Sequence, residues 1–141
     1  MKKLLIIGLL TSFVAVSALD LDTFETSLDY AQVKQVSAVQ SSDGSWCVHT
    51  AVRHNDEGWE HYADGWQVAD LEGNVLGTRP LAHPHENEQP FTRSQCNIAI
   101  PSEVTKVVVS AKCNKHGFGG QSVVVDLTEL EGEGFSVERR K

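Results

Sequence analysis

The chain has 141 residues, 22% of them charged, and a formal net charge of −7. This length favours a single globular domain. The acidic balance argues against nucleic-acid binding and against attachment to anionic lipid by a basic cluster, because both require a cationic surface.

The first eighteen residues have the composition of a secretory signal peptide. Lys2 and Lys3 precede the apolar run 4–10, and small residues lead up to Ala18. The run is shorter than the about 20 apolar residues that a spanning helix needs. Residue 19, directly after Ala18, is not a cysteine, so we expect cleavage after Ala18 with no lipid anchor. Cleavage would remove two lysines and change the net charge from −7 to −9. The predicted location is secreted or periplasmic.

The mature chain is predicted to be an all-β domain. Residues 19–31 form an acidic N-terminal arm, and residues 32–128 alternate between short apolar runs and turn signals. About seven short strands, with a turn roughly every 8–12 residues, indicate an antiparallel β-sandwich of immunoglobulin or fibronectin type. Trp46 or Trp66 is expected in its core. Residues 129–141 alternate acids with glycines and are expected to form a C-terminal tail. The predicted strands are residues 33–39, 46–53, 66–69, 75–78, 96–100, 105–112 and 123–127.

Five of the six histidines lie in or beside three long connections. Successive antiparallel strands reverse direction, so alternate connections emerge at the same end of the domain. The short turns, predicted at one end, are residues 41–45, 71–74 and 101–103. The long connections, predicted at the other end, are residues 54–64, 82–94 and 114–120. We name this second end the loop pole and expect the function there, since sandwiches carry function on loops held by a rigid scaffold.

The segment His83-Pro84-His85 is the sharpest local feature of the loop pole. Proline keeps the segment extended, which places the two imidazoles about 6–7 Å apart along the backbone. Such a pair can chelate a transition metal, and imidazole suits copper and zinc. The candidate ligands are His83, His85, His61, His116 and His54, with Glu86 and Glu88 as ligands or as partners of the ligand rings.

The same residues could also have a structural role without a metal. Glu88, Gln89 and Arg93 could hold the long connection together by hydrogen bonds alone. The chain would then be an interaction domain of the cell envelope, with a protein partner instead of a metal ion.

The cysteines point to a disulfide and away from catalysis. Cys96 and Cys113 flank two predicted strands joined by a short turn, so they are the expected pair, and Cys47 is expected as a small buried side chain. The sequence has no CxxC motif and no GxSxG elbow. We therefore expect a binding protein rather than an enzyme.

Three sequence blocks resemble an uncharacterised family of small secreted bacterial proteins. The blocks are RHNDEGWEHYADGW at 53–66, GTR at 77–79 with HPHENEQPFTR at 83–93, and HGFGG at 116–120. The resemblance covers roughly residues 33–127 and implies that the blocks belong to one site, without assigning an activity. It also implies that a bridge between Cys96 and Cys113 would be specific to this lineage.

Overall fold

The computed structural model describes residues 23–141, which form two packed β-sheets. The expected signal peptide lies outside the described residues. The strands are β1 (Gln32–Gln40), β2 (Trp46–Arg53), β3 (Ala63–Asp70), β4 (Val75–Pro80), β5 (Phe91–Ile98), β6 (Lys106–Cys113), β7 (Val123–Asp126), β8 (Glu131–Gly132) and β9 (Phe135–Arg139). No helix among these residues is long and apolar enough to cross a bilayer.

The sheet orders are β5-β2-β1-β9-β8 and β4-β3-β6-β7, which confirms the sandwich prediction. The strand pairs are antiparallel except for β1 and β9, which run parallel. Strand β2 illustrates why the sequence adopts this form, because every second side chain from Trp46 to Val52 faces the core. Trp46 and Trp66 are both buried there.

The largest differences from the sequence-based expectation lie at the C-terminal tail and in strand β5. The expected tail at 129–141 instead contributes β8 and β9, with Phe135 and Val137 buried against the core. Two alternating apolar residues among acids and glycines give too short a signal for a strand to be recognised. Strand β5 begins at Phe91, five residues before its predicted start. The earlier start was missed because an edge strand with one solvated face carries few apolar side chains.

The predicted disulfide between Cys96 and Cys113 is wrong. Cys47 is bonded to Cys96, and Cys113 is a free, buried cysteine. The physical reason is topology: β5 pairs with β2, whereas β6 belongs to the other sheet and pairs with β3 and β7. Strands β5 and β6 follow each other in sequence but lie in different sheets, and the cysteine in β2 is the one that lies beside β5.

The three long connections do meet at one end, as the strand count predicts. The amide of His85 donates to Oδ2 of Asp56 at 2.7 Å, which ties the β4–β5 connection to the β2–β3 connection. The amides of Tyr62 and Asn114 tie the β2–β3 connection to the β6–β7 connection, at 3.0 and 3.1 Å. The arm residues 23–31 lie across this pole, where the amide of Asn55 donates to the carbonyl of Leu28 at 2.9 Å.

Candidate metal centre

Two histidines and the free cysteine converge beneath the arm. His54 follows the last residue of β2, His61 lies two residues before β3, and Cys113 ends β6. All three side chains are buried. One ring nitrogen from each histidine and Sγ of the cysteine lie within 4.8 Å of one another. We name this group the His₂Cys cluster.

The three ligand-type atoms of the cluster face one backbone oxygen. Nε2 of His54 is 3.1 Å from the carbonyl oxygen of Asp29, and Nε2 of His61 is 3.2 Å from it. Sγ of Cys113 is 3.4 Å from the same oxygen. A carbonyl has two lone pairs, so it cannot accept three good hydrogen bonds at once.

The opposite nitrogens of the two rings face carboxylates. Nδ1 of His54 lies 2.6 Å from Oδ1 of Asp56, and both side chains are fully buried. Nδ1 of His61 lies 4.0 Å from Oε2 of Glu57. Histidines that bind metals commonly donate their second N–H to a carboxylate, which fixes the tautomer and leaves the other nitrogen free to coordinate. For His54 this arrangement directs the lone pair of Nε2 toward the centre of the cluster.

Asp56 is the carboxylate on which this end of the domain is assembled. Burial raises the pKa of its carboxyl group, but the hydrogen bond from His54 and those from the amides of Ala63 and His85 hold the pKa below its ordinary value of 3.8. Asp56 is therefore ionised at neutral pH. Its two oxygens orient the His54 ring and join two of the three connections.

The sulfur of Cys113 has a hydrogen-bond donor of its own. The amide of His116 lies 3.2 Å from Sγ, and this contact stabilises negative charge on the sulfur. The His116 ring is exposed; it stacks on Tyr30 at 5.2 Å and meets the edge of His61 at 5.1 Å. His116 thus packs beside the His₂Cys cluster and contributes its backbone to it.

The histidines at 83 and 85 form a separate pair. Their rings lie 4.4 Å apart, and His85 also stacks on Phe91 at 3.9 Å. Nε2 of His85 accepts a hydrogen bond from Arg93 at 2.9 Å, so its lone pair is already used. Burial lowers the pKa of His85, the charges of Arg93 and His83 lower it further, and nearby carboxylates only partly oppose them.

The remaining predicted ligands lie at the surface. His83 is exposed, and its Nδ1 is 2.9 Å from the carbonyl of Pro84. Glu86 and Glu88 are also exposed, and Glu88 forms an ion pair with Arg93 at 3.5 Å. These contacts fit the metal-free alternative, in which hydrogen bonds and ion pairs hold the long connection together.

The loop pole therefore contains all five predicted histidines, but divided between two groups. Cys113 was not predicted as a ligand, because the sequence favoured a disulfide between Cys113 and Cys96. The available signal was its position at the end of a strand that enters the loop pole, three residues before His116. His49 lies away from both groups, in mid-strand, and hydrogen-bonds to Ser94.

Comparison with known proteins gives one informative relative. The chain is 43% identical over 113 residues to a protein of Halomicrobium mukohataei named "Putative lipoprotein". The match covers 78% of this chain and 55% of that protein, so the chain spans about half the length of its relative. No family model matches the chain, and no solved structure gives a significant match.

Proposed function

We propose that this chain is an exported binding protein that holds one transition-metal ion, copper or zinc, in the His₂Cys cluster. The observation that carries the proposal is the convergence of Nε2 of His54, Nε2 of His61 and Sγ of Cys113 on one point, with their atoms within 4.8 Å of each other. Imidazole and thiolate are the protein ligands that both metals prefer.

The hydrogen-bond chemistry of the cluster supports an ion better than it supports a purely structural role. Without an ion, the carbonyl of Asp29 faces three potential donors with only two lone pairs. His54 would also need a proton on both ring nitrogens, because one faces a carboxylate and the other faces a carbonyl. A bound cation removes both conflicts, since the inward-facing atoms then act as electron-pair donors.

The electrostatic surroundings also favour a cation. Asp56 is ionised next to His54, and the exposed carboxylates of Asp29 and Glu57 lie within 4.8 Å of a ring nitrogen of His61. The formal charge of the whole chain is −7. A negative surface raises the local concentration of metal ions and partly offsets the cost of placing a cation in a buried site.

Export is supported by three independent features. Residues 1–18 have the composition of a signal peptide. The disulfide between Cys47 and Cys96 is typical of proteins that fold in an oxidising compartment. The Halomicrobium relative is named a lipoprotein.

The proposal can be tested by titrating residues 19–141 with Cu²⁺ and Zn²⁺ under anaerobic conditions. We expect one ion per chain, with affinity lowered at least tenfold in His54→Gln, His61→Gln and Cys113→Ser, since each change removes one ligand. His49→Gln is the matched control and should bind as the unsubstituted chain does. Thermal unfolding of each variant in the absence of metal would separate a lost ligand from a lost fold.

A double variant, His83→Gln with His85→Gln, tests the ligand set predicted from the sequence. If this variant loses the ion while Cys113→Ser keeps it, the His₂Cys assignment is wrong. If the unsubstituted chain binds no more tightly than an unstructured histidine-rich peptide, the metal proposal fails. The metal-free envelope interaction domain would then be the better description of the chain.

A further inference from the structure

We infer that the ion of the His₂Cys cluster is copper, held by His54, His61 and Cys113 in a trigonal plane with the carbonyl of Asp29 as a weak axial ligand. This inference rests on the proposed function and narrows it to one metal. A trigonal set of two imidazoles and one thiolate, with a long fourth contact to a thioether or a backbone oxygen, is the arrangement that favours copper.

The number of strong ligands separates copper from zinc. Structural zinc takes four strong ligands, and catalytic zinc takes three together with a water in an open position. The His₂Cys cluster offers three strong ligands, all buried, and the fourth direction is covered by the arm. A carbonyl oxygen fills the place that a fourth anionic or imidazole ligand would need for zinc. Copper(II) also binds a given site more tightly than zinc does.

The distances to Asp29 fit an axial oxygen. In-plane bonds to nitrogen and sulfur are about 2.0–2.3 Å long. If the oxygen lies perpendicular to the plane, its separations of 3.1, 3.2 and 3.4 Å from the three ligand atoms place it roughly 2.4–2.5 Å from the ion. This is longer than the in-plane bonds, as expected for a weak axial contact.

The environment of Cys113 suits a copper thiolate. The sulfur is buried and receives the amide N–H of His116 at 3.2 Å. Hydrogen bonding and apolar surroundings at the cysteine sulfur are the features by which proteins tune copper in such sites. The other two cysteines are joined as Cys47–Cys96, so Cys113 is the one thiol available among the described residues.

The test is anaerobic addition of Cu²⁺ to metal-free residues 19–141, followed by visible absorption and electron paramagnetic resonance. We expect one equivalent to produce an intense visible band from charge transfer between the thiolate and the copper. The band should be absent in Cys113→Ser. It should be retained in His49→Gln, a change in mid-strand β2 away from the cluster. In direct competition, copper should displace zinc at a concentration at least tenfold lower than that of the zinc.

Each alternative result has a definite meaning. Stoichiometric zinc binding that depends on the cluster, with no thiolate band for copper, overturns the copper inference and leaves the proposed function standing. A thiol count that falls from one to zero after copper is removed shows oxidation of Cys113 and also overturns the inference. Loss of the band in His49→Gln as well would show that it does not depend on the His₂Cys cluster and would overturn the inference. Binding of neither metal would instead remove the proposed function itself.

Discussion

At the level of single residues, Asp56 has the largest structural role at the loop pole. Its carboxylate accepts the His54 ring at 2.6 Å and the amides of His85 and Ala63 at 2.7 and 3.0 Å. These partners belong to two connections and to the first residue of β3. A buried carboxylate is stable only when its oxygens are satisfied in this way, so ligand orientation and loop structure depend on the same group.

Asp56→Asn is expected to destabilise the folded chain by roughly 2–4 kcal/mol, because the amide nitrogen of asparagine cannot accept a hydrogen bond from a buried N–H. Urea unfolding at neutral pH measures this loss. Glu57→Gln, which changes an exposed carboxylate next to the same site, is the control and should remain within about 0.5 kcal/mol. Because the folded pKa of Asp56 is depressed, its contribution is present above pH 3.8 and is lost as the pH falls through the folded value. A denaturation profile below pH 4 that is the same in Asp56→Asn as in the unsubstituted chain would contradict this role.

His85 predicts a second pH dependence at a higher pH. Its pKa is lowered from 6.5 in the folded chain, so below pH 6.5 the unfolded state takes up a proton that the folded state does not. Stability should therefore fall from pH 6.5 down to the folded pKa. His85→Gln, which keeps an acceptor for Arg93, should flatten this part of the stability profile. His83→Gln, a change at the exposed neighbour, should leave most of it in place, and equal flattening by both variants would argue against the assignment.

At the level of secondary-structure elements, alternation of apolar residues predicted most of the strands. Residues 46–53 were predicted with the same bounds that β2 has, because one face is buried along the full length of that strand. The strand prediction failed where few apolar residues face the core. Strand β9 has only Phe135 and Val137 facing the core, and its pairing with β1 is between distant parts of the chain. The cysteine pairing failed for a related reason, since it depends on which strands become neighbours.

The disulfide between Cys47 and Cys96 should be a major source of stability for the sheet that contains β5. It closes a loop with a sequence separation of 49, which corresponds to about 4 kcal/mol of reduced chain entropy in the unfolded state. The double variant Cys47→Ser with Cys96→Ser should lose up to this amount in urea unfolding. Adding a reductant to the unsubstituted chain should give the same loss, and adding it to the double variant should give none. A double variant as stable as the parent chain would contradict this connectivity.

At the level of the whole molecule, the sequence located the loop pole but not the cluster inside it. Strand reversal is sufficient to place His54, His61 and His116 at one end. It cannot determine which ring nitrogens face each other, because that depends on side-chain contacts such as those of Asp56. The sequence also did not predict that the acidic arm crosses the loop pole. Residues 23–31 have no periodicity of their own, and backbone contacts with residues distant in sequence position them.

The side chain of Gln32 holds the arm, residues 23–31, in place over the loop pole. Gln32 is buried at the start of β1, and its Nε2 donates to the arm carbonyls of Glu25, Ser27 and Tyr30 at 2.8, 3.2 and 3.2 Å. Gln32→Ala removes these contacts without touching a proposed ligand. Asp29 should then be held less firmly over the His₂Cys cluster.

We expect Gln32→Ala to lower metal affinity roughly tenfold, equivalent to about 1.4 kcal/mol, because the axial oxygen must be ordered again when the ion binds. Hydrogen exchange should rise in residues 25–31, and adding metal should reduce it. Gln35→Ala, an exposed change on the same strand, is the matched control and should alter neither measurement. If exchange rises in Gln32→Ala while affinity stays unchanged, the arm is mobile without contributing to the site, and Asp29 would have no part in holding the ion.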